Sequence, residues 1–141
     1  MVNSRRKGAN GEYLVAKEYL DHMNVRLKRD IEQYRSSDRG DLIPNDDIDW
    51  PFCIEVKIYG DLNVMHRAAW WQQVSKAADS QNLMPVLWYK YKHREWRIVM
   101  RANDVSYALG GTFDHDDMLF TMNPYTCFYL SREILAARAL A

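Results

Sequence analysis

The chain has 141 residues, 48% of them apolar and 27% charged. That is the balance of one globular domain, able to bury roughly 68–70% of its unfolded surface without staples. It excludes a disordered tail, a collagen and a coiled-coil rod, and no run has the roughly 18 apolar residues of a membrane-spanning helix. Net charge is zero but unevenly spread: residues 1–40 carry nine Lys or Arg against six Asp or Glu, 41–66 one against six, 67–101 seven against two, and 102–141 two against five. An acidic segment between two basic ones suits a cation site flanked by phosphate-binding surface; it equally suits a set of solvated faces.

The N-terminus is polar and lacks the apolar core of a secretory signal. From about Arg5 to Met23, Ala9, Tyr13, Ala16, Leu20 and Met23 recur at helical spacing and predict an amphipathic helix. Glu12 falls roughly 60° from the centre of that stripe, on the border between core and solvent. Val25–Arg29 alternates and reads as a strand. Residues 30–40, with Ser36, Ser37 and Gly40, read as a loop. Asp41–Ile43 is a short strand closed by the turn composition of Pro44–Asp47. Phe52–Tyr59 alternates cleanly, Phe52, Ile54, Val56 and Ile58 to one face and Cys53, Glu55, Lys57 and Tyr59 to the other.

A second helix is expected over about Val64–Gln81 with Trp70, Val74 and Ala77 inward. Pro85–Tyr91 and Trp96–Met100 form a hairpin about the turn Lys92–Glu95. A short helix follows Asn103, its expected cap, and ends at Gly110-Gly111. Thr126–Leu130 reads as a last strand, and Ser131 as the cap of a closing helix over Arg132–Leu140. The order α-β-β-β-α-β-β-α-β-α predicts a single α/β domain, a central mixed sheet flanked by helices. Cys53 and Cys127 lie too far apart for a metal-ligand motif and read as reduced, buried thiols of an intracellular, cytoplasmic protein.

The residues with chemistry in them are Gly40-Asp41 and, fourteen positions on, Glu55-Val56-Lys57. Glu55 and Lys57 project from one face of their strand, roughly 7 Å apart. Two unlike charges inside an otherwise apolar strand need a reason, because a lone buried charge is costly. An exposed edge strand would supply one, since charge there discourages aggregation. Phosphodiester hydrolysis supplies another. If the strands of Asp41 and Glu55 are hairpin neighbours, the two carboxylates can meet; hard oxygen ligands suit Mg²⁺ or Mn²⁺. Lys57 would then steady a hydroxide and the non-bridging oxygens. Glu12 could complete the shell or take a second metal.

Asp41 followed by Glu55-Val56-Lys57 resembles the PD-(D/E)xK nuclease superfamily. Arg6-Lys7-Gly8-Ala9-Asn10-Gly11-Glu12 at the head of a helix resembles the archaeal-type Holliday junction resolvases. The likeness covers about residues 5–91. It implies a restriction-endonuclease-like core spanning about 5–101, with 102–141 as a C-terminal extension. It implies Glu12, Asp41, Glu55 and Lys57 as the active site, with the Val56 carbonyl also on the metal, and a serine from the loop, Ser36 or Ser37. It implies a homodimer making paired nicks in a four-way DNA junction, with Mg²⁺ or Mn²⁺ and no small-molecule cofactor or membrane. Of two helical glutamines, Gln73 borders the apolar stripe and is the better match to the superfamily's Gln-x-x-x-Tyr, although Ala77 replaces the tyrosine. Gly40 replaces the superfamily's proline, and the segment after Ile58 lacks the archaeal basic run.

Arg5, Arg6 and Lys7, at a helix start, are expected on phosphate; Arg35, Arg39 and Lys76 are further candidates for DNA contact. Lys90, Lys92 and Arg94 at the hairpin read rather as solvated charges. Trp70 reads as core, and Trp71 as serving a second face. Asp114-His115-Asp116-Asp117 reads as a solvated loop. A restriction-type or flap-type nuclease, or a silent DNA-binding protein, are the alternatives. Five tryptophans and nine tyrosines would suit a bacteriophage protein acting in a bacterial host cell.

Overall fold

The structure, a computed structural model, describes residues 4–31, 40–60, 67–113, 115 and 118–141, apart from the side chains of residues 4–9 and 67. Six strands form one sheet in chain order: β1 (Leu27–Arg29), β2 (Leu42–Pro44), β3 (Phe52–Tyr59), β4 (Met84–Tyr91), β5 (Arg97–Arg101) and β6 (Leu119–Met122). Neighbours are antiparallel except β3 and β4, which run parallel. A parallel pair needs a crossover, and α2 (Arg67–Gln81) lies in it, packed on both strands. The opposite face is covered by α1 (Ser4–Met23), α3 (Ala102–Ala108) and α4 (Pro124–Ala139). This is the expected α/β class, and among the described residues helices and strands succeed one another in the expected order of types.

The alternation of β3 places its two sets of side chains in two cores. Phe52, Ile54 and Val56 join Tyr19, Trp88 and Phe128 under α1 and α4. Cys53 joins Trp70, Val74, Ala77 and Ala78 of α2, where the expected stripe is buried. Both cysteines are free and buried. The β4–β5 hairpin also forms as expected.

Four local expectations are corrected. The buried face of α1 is not the stripe led by Tyr13, which is 69% exposed; it runs through Gly11, Val15 and Tyr19, the last 1% exposed. Gly11 sets that face. A Cβ there would lie 2.9 Å from Ile58 Cδ1, so the helix lies close against β3 at the glycine. Ala16 and Met23 remain at the edge of the core.

The last strand is Leu119–Met122, not Thr126–Leu130. The latter belongs to α4, and Ser131 is buried in mid-helix. The true cap is Asn123, whose side chain accepts from the Thr126 N–H at 2.9 Å, with Pro124 opening the helix. Cys127, Phe128, Ser131 and Ile134 then share one helical face toward the sheet. Likewise Asn103 lies inside α3 and accepts from the His115 N–H at 2.7 Å instead of capping it. The first strand is also shorter than Val25–Arg29, starting at Leu27.

The described elements after residue 101 pack onto the rest of the sheet and its core. β6 extends the sheet beside β5, and α4 contributes Cys127, Phe128 and Ile134 to the larger core.

Candidate active site

Asp41 stands just before β2, where that strand meets β3. Its N–H donates to the Ile54 carbonyl at 2.7 Å, and its carbonyl accepts from the Asp30 N–H at 2.9 Å. Its side chain is fixed as well, because Oδ2 accepts from the Val56 N–H at 2.7 Å. Gly40 makes this approach possible. A Cβ at that position would lie 2.9 Å from the Ile54 carbonyl oxygen and 3.0 Å from Cys53 Sγ. The residue where the superfamily label has proline is thus one that lets the Asp41 backbone press against β3.

Glu55 and Lys57 leave β3 on the α2 face, as the alternation requires. The Lys57 ammonium is 3.5 Å from Glu55 Oε1. The same oxygen accepts from Gln73 Nε2 at 3.1 Å, across from α2. Asp41 and Glu55 are 7% and 3% exposed, and each acts on the other's ionisation. Burial and the neighbouring Glu55 push Asp41 up to about 8, against the opposing pull of the Val56 N–H. Burial also raises Glu55, with Lys57 opposing it. Fully ionised, the pair would carry more negative charge than its surroundings compensate, so it tends to keep a proton.

Glu12 is buried on α1 and adds to the electrostatic load on both carboxyls, but its own carboxylate is ion-paired with Arg29 of β1. Among the described residues no three His, Cys, Asp or Glu side chains gather into a ready metal cage. Asp41 and Glu55 form a pair, and Glu12 stands beside them, held by Arg29. Two oxygen donors with uncompensated charge, next to an ammonium, fit a hard divalent cation. The Val56 carbonyl belongs to the same stretch of β3.

Sequence reasoning did not single out Arg29 or Asp30. Asp30 is 2% exposed, close enough to act electrostatically on Cys53, and a lone acid at a loop start carries no pattern that would reveal this. Gln73 is where its helical position suggested. Ser36, Ser37, Arg35 and Arg39 lie outside the described residues, as do Asp114, Asp116 and Asp117 of the acidic loop. Arg5, Arg6 and Lys7 are in the first turns of α1 by backbone alone. Lys76 is exposed on α2.

Comparison with known proteins adds a family. Residues 3–124 match the model described as "Phage putative PDDEXK endonuclease". Protein D14 of Escherichia phage T5 is 29% identical over 122 residues, covering 73% of this chain and 74% of that protein. Among solved structures, Hjc of Archaeoglobus fulgidus, a Holliday junction resolvase from an archaeal hyperthermophile, aligns with a TM-score of 0.49 and 15% identity, covering 86% of this chain and 88% of that one.

Proposed function

Since the chain belongs to the phage PDDEXK endonuclease family, we propose that it hydrolyses phosphodiester bonds in branched DNA with the aid of Mg²⁺ or Mn²⁺, nicking two opposed strands of a four-way junction as a homodimer. The observation that carries the reading is the buried Asp41–Glu55 pair with Lys57 against it. A protein has no stability reason to gather these groups, because two buried carboxyls cost more than one ammonium returns. A bound divalent cation neutralises charge at phosphorus and lowers the pKa of a water molecule.

The chain's own residues do the rest. Asp41 and Glu55 would hold the cation, joined by the Val56 carbonyl, with Asp41 aimed by the Val56 N–H. Gln73 fixes one Glu55 oxygen. Lys57, 3.5 Å from Glu55, would hold a hydroxide and face the non-bridging phosphate oxygens. Glu12 completes the acidic group from α1, and Ser36 or Ser37 takes the loop serine's part. Arg5, Arg6, Lys7, Arg35, Arg39 and Lys76 would bind the DNA backbone.

The junction as substrate is supported by the motif order, Arg6-Lys7-Gly8 before a helix Glu12, then Gly40-Asp41, then Glu55-Val56-Lys57. A twofold dimer is supported by the chemistry of two symmetric nicks, which one site does not make at once. The test incubates the protein with a four-way junction and with linear duplex of the same sequence, in Mg²⁺ and in chelator. Paired nicks confined to the junction and abolished by chelator are expected. Equal cutting of linear duplex would favour a restriction-type nuclease, and binding without cutting in either metal a silent DNA-binding protein. Undiminished cutting by Asp41→Asn would end the metal reading.

A further inference from the structure

Beyond the α2 side of the site, the β4–β5 hairpin walls a cavity of about 700 Å³ whose lining includes Tyr89, Lys90, Tyr91, Arg94, Glu95 and Arg97. Its place follows from the strand register. Lys57 pairs with Tyr89 on β4, and Tyr89 pairs with Arg97 on β5. Register partners share a face, so Lys57, Tyr89 and Arg97 form one row across three strands on the face that carries Glu55. Two strand spacings separate Lys57 from Arg97, about 10 Å. That is about three base-pair rises along the axis of a duplex.

The floor of the cavity is rigid. Tyr89 and Tyr91 are buried, and Trp70 packs against both and against Tyr59, with ring centroids 5.9, 6.4 and 4.8 Å away. Buried rings offer no face for a base to stack on. The rim is cationic: Arg94 and Arg97 are exposed, and neither makes a side-chain ion pair among the described residues, Glu95 of the same wall included. Lys90 differs. Its register partner is Ile58, on the opposite face, and its ammonium lies over the Trp96 ring, 5.2 Å from the centroid.

The geometry points to this cavity as a phosphate-binding subsite, in which Arg94 and Arg97 grip the DNA backbone a few nucleotides from the scissile phosphate. It rests on the nuclease reading for its ligand. It goes beyond the expectation of solvated charges at this turn, since Arg97 is in register with Lys57 and both arginines line one cavity.

The test measures binding of a fluorescent four-way junction and of linear duplex in chelator over a range of salt, for the wild type, Arg94→Ala, Arg97→Ala and Lys90→Ala. Each alanine removes one positive charge, so a general field effect would be alike in all three. Arg94→Ala and Arg97→Ala should each weaken binding, about 3- to 10-fold, and make the slope of log K against log salt shallower by about 0.9. Lys90→Ala should leave the slope unchanged, and Arg97→Lys should recover most of it. Equal losses in Lys90→Ala, or an unchanged slope in both arginine variants, would overturn the subsite. A wild type that binds DNA without cutting it in Mg²⁺ would sink the nuclease reading while the slopes still decide the subsite. A wild type that binds no DNA would sink both.

Discussion

The two faces of β3 share one backbone and differ in almost everything else. On one face Phe52, Ile54 and Val56 sit in an apolar core, with Tyr19, Trp88 and Phe128 packed ring to ring at centroid distances of 5.2 to 5.7 Å. On the other, Glu55 and Lys57 follow Cys53 into a setting where burial works against charge. The first face makes the strand rigid; the second uses that rigidity to hold charged groups at fixed separation. Stability and chemistry should therefore respond oppositely to changes one residue apart.

The largest contrast tests that directly. Ile54→Ala should cost about 2–5 kcal/mol of stability from a fully buried position, read as a lower midpoint in chemical denaturation. Glu55→Gln keeps the shape and removes a disfavoured charge. Its denaturation midpoint should be unchanged or higher, while junction cleavage falls by about 10²-fold or more. A Glu55→Gln protein that is destabilised yet still cuts would reverse the roles of the two faces.

Next comes α1. Tyr19→Ala should cost about 3–5 kcal/mol, since it empties the centre of the aromatic cluster and leaves Trp88 Nε1 without the hydroxyl it donates to at 3.0 Å. Tyr13→Ala should stay within about 0.5 kcal/mol. The reverse ranking would restore the face read from spacing alone.

A smaller effect separates the faces by pH. Asp41 rises from an ordinary 3.8 to about 8 in the folded chain. Between those values the folded protein keeps a proton that the unfolded chain has lost. Stability from this group is thus fully present below about pH 4 and is lost as pH rises toward 8. In chelator, the melting temperature should fall from pH 5 to pH 8.5, and less so in Asp41→Asn. Added Mg²⁺ should raise it more at the upper end of that range, because a cation competes with protons for the same oxygens. A melting temperature that climbs over this range in chelator would contradict the burial of an uncompensated pair.

How much of this was legible depended on whether a signal was local. The alternation of Phe52–Tyr59 and the α2 stripe were readable because each element's burial follows its own period. The meeting of Asp41 and Glu55 was readable as far as two short strands suggested hairpin neighbours. The face of α1 was not, because Tyr13 and Tyr19 are equally apolar in sequence and only the close approach at Gly11 decides between them. Arg29 was hidden for a similar reason: its pairing with Glu12 joins β1 to α1 across 17 positions. Nor could the Arg97 subsite be read, since it depends on a register across three strands that no single segment records.

The smallest effect concerns α4, where the expected and observed helix starts lie eight residues apart. Asn123→Ala should cost about 1 kcal/mol, the usual loss when a capping side chain no longer accepts from the first turn. Ser131→Ala meets a different situation. Its hydroxyl is buried beside Cys127 Sγ at 3.9 Å, a weak contact, and alanine is the better helix former at an interior position. That variant should be within about 0.5 kcal/mol of the wild type. Were Ser131 the cap, the two costs would exchange places in thermal denaturation. The aromatic residues Tyr125, Phe128 and Tyr129, which lend this stretch the look of a strand, would then alternate between core and solvent with period two. Instead Cys127, Phe128, Ser131 and Ile134 are buried together with helical spacing.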